Sequence, residues 1–316
     1  MSFIEVKDLS KQYMTSSKPV LALRGLTLDV QENEIATIMG PSGCGKSTLL
    51  NILGSIDEPT SGFARVGNFP ITAPQGIMAF KQNRRDIINY RRNNVGFIFQ
   101  FHNLSPVHTA IENVELPMVF AGIQKEVRIK RAKELLEEVG LSDRINHKPD
   151  QLSGGEKQRV AVATAFANNP SLILADEPTG ELDHETSDMI CDLFLKLKEE
   201  KNFSMVLVTH NPVVAKLGDN IYNMSDGAIR GTVKKSVLTK LSSFSSDVNQ
   251  EVKTGSITDF PPKFCTACGS PEIVIPSNSA KTGFWTQSGN KKLDFEFEFA
   301  QCIKCNKIFW NVKSIS

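Results

Sequence analysis

Residues 35–54 read IATIMGPSGCGKSTLLNILG, and three parts of this stretch decide the fold. The apolar run 35–39 reads as a buried strand, GPSGCGKS at 40–47 fits G-x-x-x-x-G-K-[ST], and STLLNILG continues as a helix. Strand, glycine loop and helix in this order form a phosphate cradle. The glycines let successive backbone N–H groups turn inward, and the helix N-terminus adds partial positive charge. Lys46 is then placed to reach the outer phosphates and Ser47 to ligate Mg²⁺. A merely tight turn would explain the glycines but not Lys46 and Ser47. Gly40, Pro41, Ser42, Gly43, Cys44, Gly45, Lys46, Ser47 and Thr48 are therefore candidate nucleotide residues.

Three further apolar runs end in a polar or catalytic-type residue: VGFIF before Gln100, LILA before Asp176 and Glu177, and MVLVT before His210. Between the start and about residue 235 such runs alternate with helical patterns, which predicts an α/β unit with a largely parallel sheet. Ligands bind outside the carboxyl ends of strands in open α/β sheets, so these endings converge on one crevice. Asp176 can hold the Mg²⁺ shell and Glu177 can accept a proton from attacking water. Val127, Ala132, Leu135, Leu136 and Val139 recur at helical spacing before a capping Gly140, and Ile190, Leu193, Phe194 and Leu197 mark another helix. At Leu152-Ser153-Gly154-Gly155-Glu156, Ser153 and Glu156 have capping-box spacing, and the two glycines expose bare N–H groups at a positive helix end.

Over residues 1–235 these motifs together resemble the nucleotide-binding subunit of ABC transporters. LSGGE at 152–156 is similar to the family signature, Gln100 to its Q-loop, Glu181-Leu182-Asp183 to its D-loop and His210 to its switch histidine. The resemblance implies ATP and Mg²⁺ as ligands, with Ser47, Gln100 and Asp176 around the metal and Glu177, Gln100 and His210 in catalysis. It also implies that Tyr13 stacks on adenine. Two cassettes pack head to tail in the family, so Ser153, Gly154, Gly155, Glu156 and Asp183 are expected to close on ATP held by a second copy. VGFIFQFHNLSPVHTAIENVELPM and DEPTGELD resemble the lipoprotein-releasing and macrolide-exporter type, whose partners are integral-membrane permeases. Glu156 stands where many cassettes have Gln. Thr164 stands where related chains carry Arg, which bears on the hydrolysis rate.

Composition bounds the partners. The chain has 316 residues with 36 Lys plus Arg against 35 Asp plus Glu, a balance that advertises neither nucleic acid nor an anionic membrane surface. Neither a secretory signal pattern nor an apolar run long enough to span a bilayer is present, so a cytoplasmic subunit attached to the membrane through a permease is expected. Residues 236–260 are rich in Ser, Thr and charge and read as a linker. In the 56 residues after it, Cys265-x-x-Cys268 and Cys302-x-x-Cys305 have the spacing of a structural Cys₄ Zn²⁺ ribbon, with LDFEFEFAQ as a strand leading into the second pair. A closed Cys₄ site leaves no open coordination position, so its role is stability and not catalysis. Cys44 and Cys191 read as a loop filler and a core thiol.

The expectation is thus an ATP-hydrolysing transporter motor with an accessory zinc ribbon. Two alternatives stay open: a soluble cassette ATPase acting on nucleic acid, and an ATP-switched adaptor that recruits a protein through the ribbon.

Overall fold

The computed structural model describes residues 2–14, 18–72 and 84–234 and, by backbone alone, 273–274, 285–287, 292–302 and 308–315. The chain divides into two compact units, Met1–Ser246 and Asp247–Ser316.

The first unit is built on two sheets. A four-stranded antiparallel sheet runs β2 (Pro19–Val30), β1 (Ile4–Met14), β4 (Ser61–Val66), β5 (Phe69–Thr72). A six-stranded sheet runs β10 (Ala228–Lys234), β9 (Asn220–Ser225), β3 (Ile35–Met39), β8 (Ser204–Thr209), β7 (Leu172–Asp176), β6 (Val95–Ile98). All its pairs are parallel except β10 with β9. The sheet is therefore mixed, and the antiparallel one was not expected from the sequence.

The central strands show why their runs are apolar throughout. Along β7, Leu172 and Leu174 enter one hydrophobic cluster and Ile173 and Ala175 the other; along β8, Val206 and Val208 face the first, Met205 and Leu207 the second. Successive side chains point to opposite faces, and here both faces are covered. The first cluster joins the antiparallel sheet and α1 (Lys46–Leu53). The second joins α3 (Ala110–Phe120), α4 (Lys125–Glu138), α5 (Gly154–Ala165) and α6 (His184–Glu200). A further helix, α2 (Arg84–Asn93), precedes β6, and the short α7 (Pro212–Ala215) follows β8.

The helix expectations hold with one correction. On α4, Ala132, Leu135 and Leu136 are buried, as is Val139 just beyond, whereas Val127 in the first turn is 56% exposed. Gly140 adopts φ 70°, and the amides of Gly140 and Leu141 bond back to Glu137 and Leu136, so the left-handed turn ends the helix. All four expected apolar residues of α6 are buried.

In the second unit, β13 (Lys292–Cys302) pairs antiparallel with β11 (Ile273–Val274), β12 (Trp285–Gln287) and β14 (Ile308–Ile315). β13 contains the strand expected at 293–301 and ends on Cys302. Cys265, Cys268, Cys305 and the expected linker lie outside the described residues.

Candidate active site

The carboxyl ends of β3, β6, β7 and β8 open on one cleft of about 590 Å³. It is lined by Pro41, Ser42, Gly43, Gly45, Lys46, Ser47 and Thr48 from the glycine loop and α1, by Gln100, Asp176, Glu177 and His210 from the other strand ends, and by Ala22 of β2. All four strand endings picked out by sequence thus meet in one place. Ala22 carries no sequence signal, because a small apolar side chain on a strand is not distinctive.

The loop is shaped by left-handed backbone. Gly43 and Gly45 have φ 78° and 104°, and a Cβ on Gly45 would sit 2.4 Å from the carbonyl oxygen of Ala22. Only glycine fits there. Gly40 is fixed from below, since a Cβ on it would lie 2.2 Å from the Met224 carbonyl oxygen. Cys44 is buried and its carbonyl accepts from the amide of Gly227. Neither Gly40 nor Cys44 lines the cleft; Gly40 seats the loop on the end of β9 and Cys44 on the turn that follows it.

Lys46 is 7% exposed, and its Nζ is held by the carbonyl oxygens of Gly40 at 2.8 Å and Pro41 at 3.1 Å, with Glu177 Oε1 at 3.9 Å. A buried ammonium needs such partners. Ser47 hydrogen-bonds the carboxyl group of Asp176. Burial pushes the Asp176 carboxyl above its usual range, and the Glu177 charge adds to this, while Ser47 and Lys46 oppose it.

Glu177 is the first residue beyond β7 and has φ 46°, a left-handed conformation that costs a non-glycine residue on the order of 1 kcal/mol. Its amide bonds to the Val208 carbonyl at 3.0 Å, which ties the turn to β8. Its Oε1 lies 2.9 Å from His210 Nδ1, and the His210 amide donates to its Oε2 at 3.3 Å. An ionised Glu177 can only accept, so this contact needs the imidazole proton on Nδ1. Gln100 Nε2 donates to Glu181 Oε1 at 3.1 Å.

The remaining expected residues lie off the cleft. Tyr13 donates from its hydroxyl to Asp57 Oδ2 at 2.6 Å and also meets the Thr48 side chain, while Lys11 Nζ stands 4.9 Å over its ring. Burial, and then Asp57, push the Tyr13 hydroxyl above its usual range. Ser153 is the N-cap of α5, with Glu156 completing the capping box through the Ser153 amide at 2.8 Å. That amide holds the Glu156 carboxyl below its usual range, against desolvation and with help from Arg144. Gly155 faces α6 and Gly154 the turn before it: a Cβ on Gly155 would lie 2.3 Å from Thr186 Cγ2, and one on Gly154 would lie 3.5 Å from Leu182 Cδ2. Asp183 caps α6, accepting from the Thr186 amide at 2.9 Å and the Thr186 hydroxyl at 2.7 Å. Thr164 bonds its own helix through the Val160 carbonyl at 2.8 Å. Cys191 is half-buried and its thiol is pushed up to about 11 by burial, so it is not a reactive thiolate.

The residues present fit Mg-ATP. The glycines make a cradle that side chains would fill, Lys46 is a cation within it, and Ser47, Asp176 and Gln100 offer the oxygen ligands a hard divalent cation takes. For zinc there is no such test: among the described residues no group of three or more His, Cys, Asp or Glu could hold a metal.

The family profile of the ABC transporter matches residues 23–180. An uncharacterised ABC transporter ATP-binding protein of Thermotoga maritima is 46% identical over 235 residues, covering 74% of this chain and 97% of that one. The lipoprotein-releasing system ATP-binding protein LolD of Geobacter metallireducens is 42% identical, covering 72% and 98%. Among solved structures, the dimeric post-hydrolysis state of the cassette MJ0796, bound to ADP and Pi, superposes with a TM-score of 0.66 at 42% identity, covering 73% and 98%. MJ0796 comes from Methanocaldococcus jannaschii. With this likeness, the chain belongs to the ABC transporter family, whose ATP-binding cassettes are the ATPase motor subunits of transporters.

Proposed function

We propose that the cleft binds and hydrolyses Mg-ATP, and that two copies of the chain close head to tail to drive a separate membrane permease. The convergence of Lys46, Asp176, Glu177 and His210 on one glycine cradle carries this reading. Lys46 neutralises the outer phosphates, and the loop amides hold them in register. Ser47, Asp176 and Gln100 would hold Mg²⁺, which would supply neutralisation of the phosphate charge. Glu177 accepts the proton of the attacking water; His210, bonded to its Oε1, keeps that carboxylate aimed into the cleft. Ser153, Gly154, Gly155, Glu156 and Asp183 stand outside their own cleft, which suits a role on the ATP of a second copy. Support for that arrangement comes from the dimeric MJ0796 structure.

LolD relatives support a permease of the lipoprotein-releasing type and a lipoprotein or peptide-like cargo. No helix among the described residues is long and apolar enough to cross a membrane, and a permease would supply the span. The ABC unit is assigned to residues 1–235, the linker to 236–260 and a zinc-ribbon unit to 261–316. The zinc reading rests on the two Cys-x-x-Cys pairs, and elemental mass spectrometry should find one Zn²⁺ per chain, lost on Cys265→Ser with Cys268→Ser.

Two substitutions test the motor. Lys46→Ala should abolish tight ATP binding. Glu177→Gln should keep binding while turnover falls by at least about 100-fold, since a positioned base contributes about 10²–10⁴. Wild-type hydrolysis by Glu177→Gln would remove Glu177 from its role.

A further inference from the structure

Gln100 lines the cleft, yet the partner of its amide lies outside it. A carboxamide carries oxygen at one end and nitrogen at the other, and only the oxygen can ligate a hard cation. Which end meets the metal is therefore decided by what holds the other. Here Nε2 donates to Oε1 of Glu181 at 3.1 Å, and a carboxylate, being an acceptor only, accepts nitrogen and excludes oxygen. The turn that carries Glu181 is fitted to the same side chain. A Cβ on Gly180 would stand 3.2 Å from Gln100 Nε2 and 3.3 Å from the Glu177 carbonyl oxygen, so the bare glycine lets the amide lie against it.

We propose that Glu181 is a positioning residue for the magnesium site: by taking the amide nitrogen of Gln100 it leaves the carbonyl oxygen as the end offered to a divalent cation. The inference rests on Gln100 being a Mg²⁺ ligand. Glu181 itself is not part of the cleft wall and touches neither nucleotide nor metal in this reading. Groups that orient a ligand from behind commonly change metal affinity by about 10–100-fold when removed. Without Glu181 the amide turns between its two ends, and part of the time nitrogen faces the cation.

The test uses the full chain carrying Glu177→Gln, so that turnover is slow against the time of the measurement. ATP affinity is measured by calorimetry in excess Mg²⁺ and again in EDTA, and the ratio of the two is the benefit of the metal. Glu181→Ala should lower that ratio by about 2- to 10-fold, from an amide that turns equally between its ends to one that also leaves the site, and leave the affinity in EDTA unchanged. Glu181→Gln, whose amide donates as well as accepts, no longer excludes the oxygen and should also lower the ratio. Gln100→Ala should lose it, and adding Glu181→Ala to Gln100→Ala should lose no more. An unchanged ratio in Glu181→Ala beside a lost one in Gln100→Ala overturns the positioning role and leaves Gln100 as a ligand. An unchanged ratio in Gln100→Ala overturns both. Equal loss by Glu181→Ala in EDTA, or a ratio kept in full by Glu181→Gln, also overturns the proposal, since the first means a structural role and the second means that an acceptor-only partner is not what selects the end.

Discussion

Gly155 has no room for a side chain, because Thr186 Cγ2 would lie 2.3 Å from its Cβ. Thr186 cannot swing aside freely: its amide and hydroxyl both hold Asp183 at the start of α6. Gly155→Ala should therefore destabilise the fold by about 1–3 kcal/mol, the usual cost of overpacking, as a lower urea midpoint. An unchanged midpoint would show that α6 yields. In sequence the glycine pair reads as a source of bare N–H groups; its second role is to admit a neighbour 31 positions away, and such a neighbour leaves no trace in the local pattern. The same holds for Gln100 with Glu181 and for Tyr13 with Asp57. What was legible were residues whose chemistry is unusual for their place, such as Lys46 after a glycine loop or Glu177 after an apolar strand.

Elements were legible where one rule governed them. The S-x-x-E cap of α5 is present as read, and Ser153→Ala should cost about 1 kcal/mol, measured by chemical denaturation, because an orphan amide loses its acceptor. The partner side of this box is pH-dependent with a definite sign. The Glu156 carboxyl is held below its unfolded range, so its contribution is present above the unfolded value and fades as pH falls through the folded one. Stability measured from neutrality into acid should therefore drop less steeply in Glu156→Gln than in the parent. An equal slope would remove the carboxylate from the box. The antiparallel sheet escaped the sequence for a physical reason. Register shifts interrupt β1 between Val6 and Leu9 and again between Leu9 and Gln12, and Asp8 sits at φ 47°. Bulges break the period of two by which a strand is recognised. β3, β7 and β8 have no such breaks, and their continuous apolar runs read directly as buried strands.

At the scale of the whole molecule, the signature residues and the cleft of one chain do not share a wall, which makes the assembly testable by mixing. A Lys46→Ala chain combined with a Ser153→Arg chain should regain part of the ATPase activity that each lacks alone, since one of the two composite sites in the heterodimer is intact. No recovery, with heterodimers shown to form, would count against head-to-tail closure. Every cleft-lining residue among the described ones lies at or before His210, so ending the chain near residue 240 should leave ATP affinity near normal by calorimetry. A folded but ATP-blind truncate would place the tail inside the motor. The left-handed turn at Glu177 bears on how such a protein survives change. Asn tolerates that backbone better than Glu, and Asn also removes one of two adjacent carboxylates, so Glu177→Asn is expected to raise thermal stability while it ends turnover. A laboratory population screened for heat survival alone would be free to give up its catalyst at this position, and only a screen that demands work from the enzyme would hold the glutamate in place.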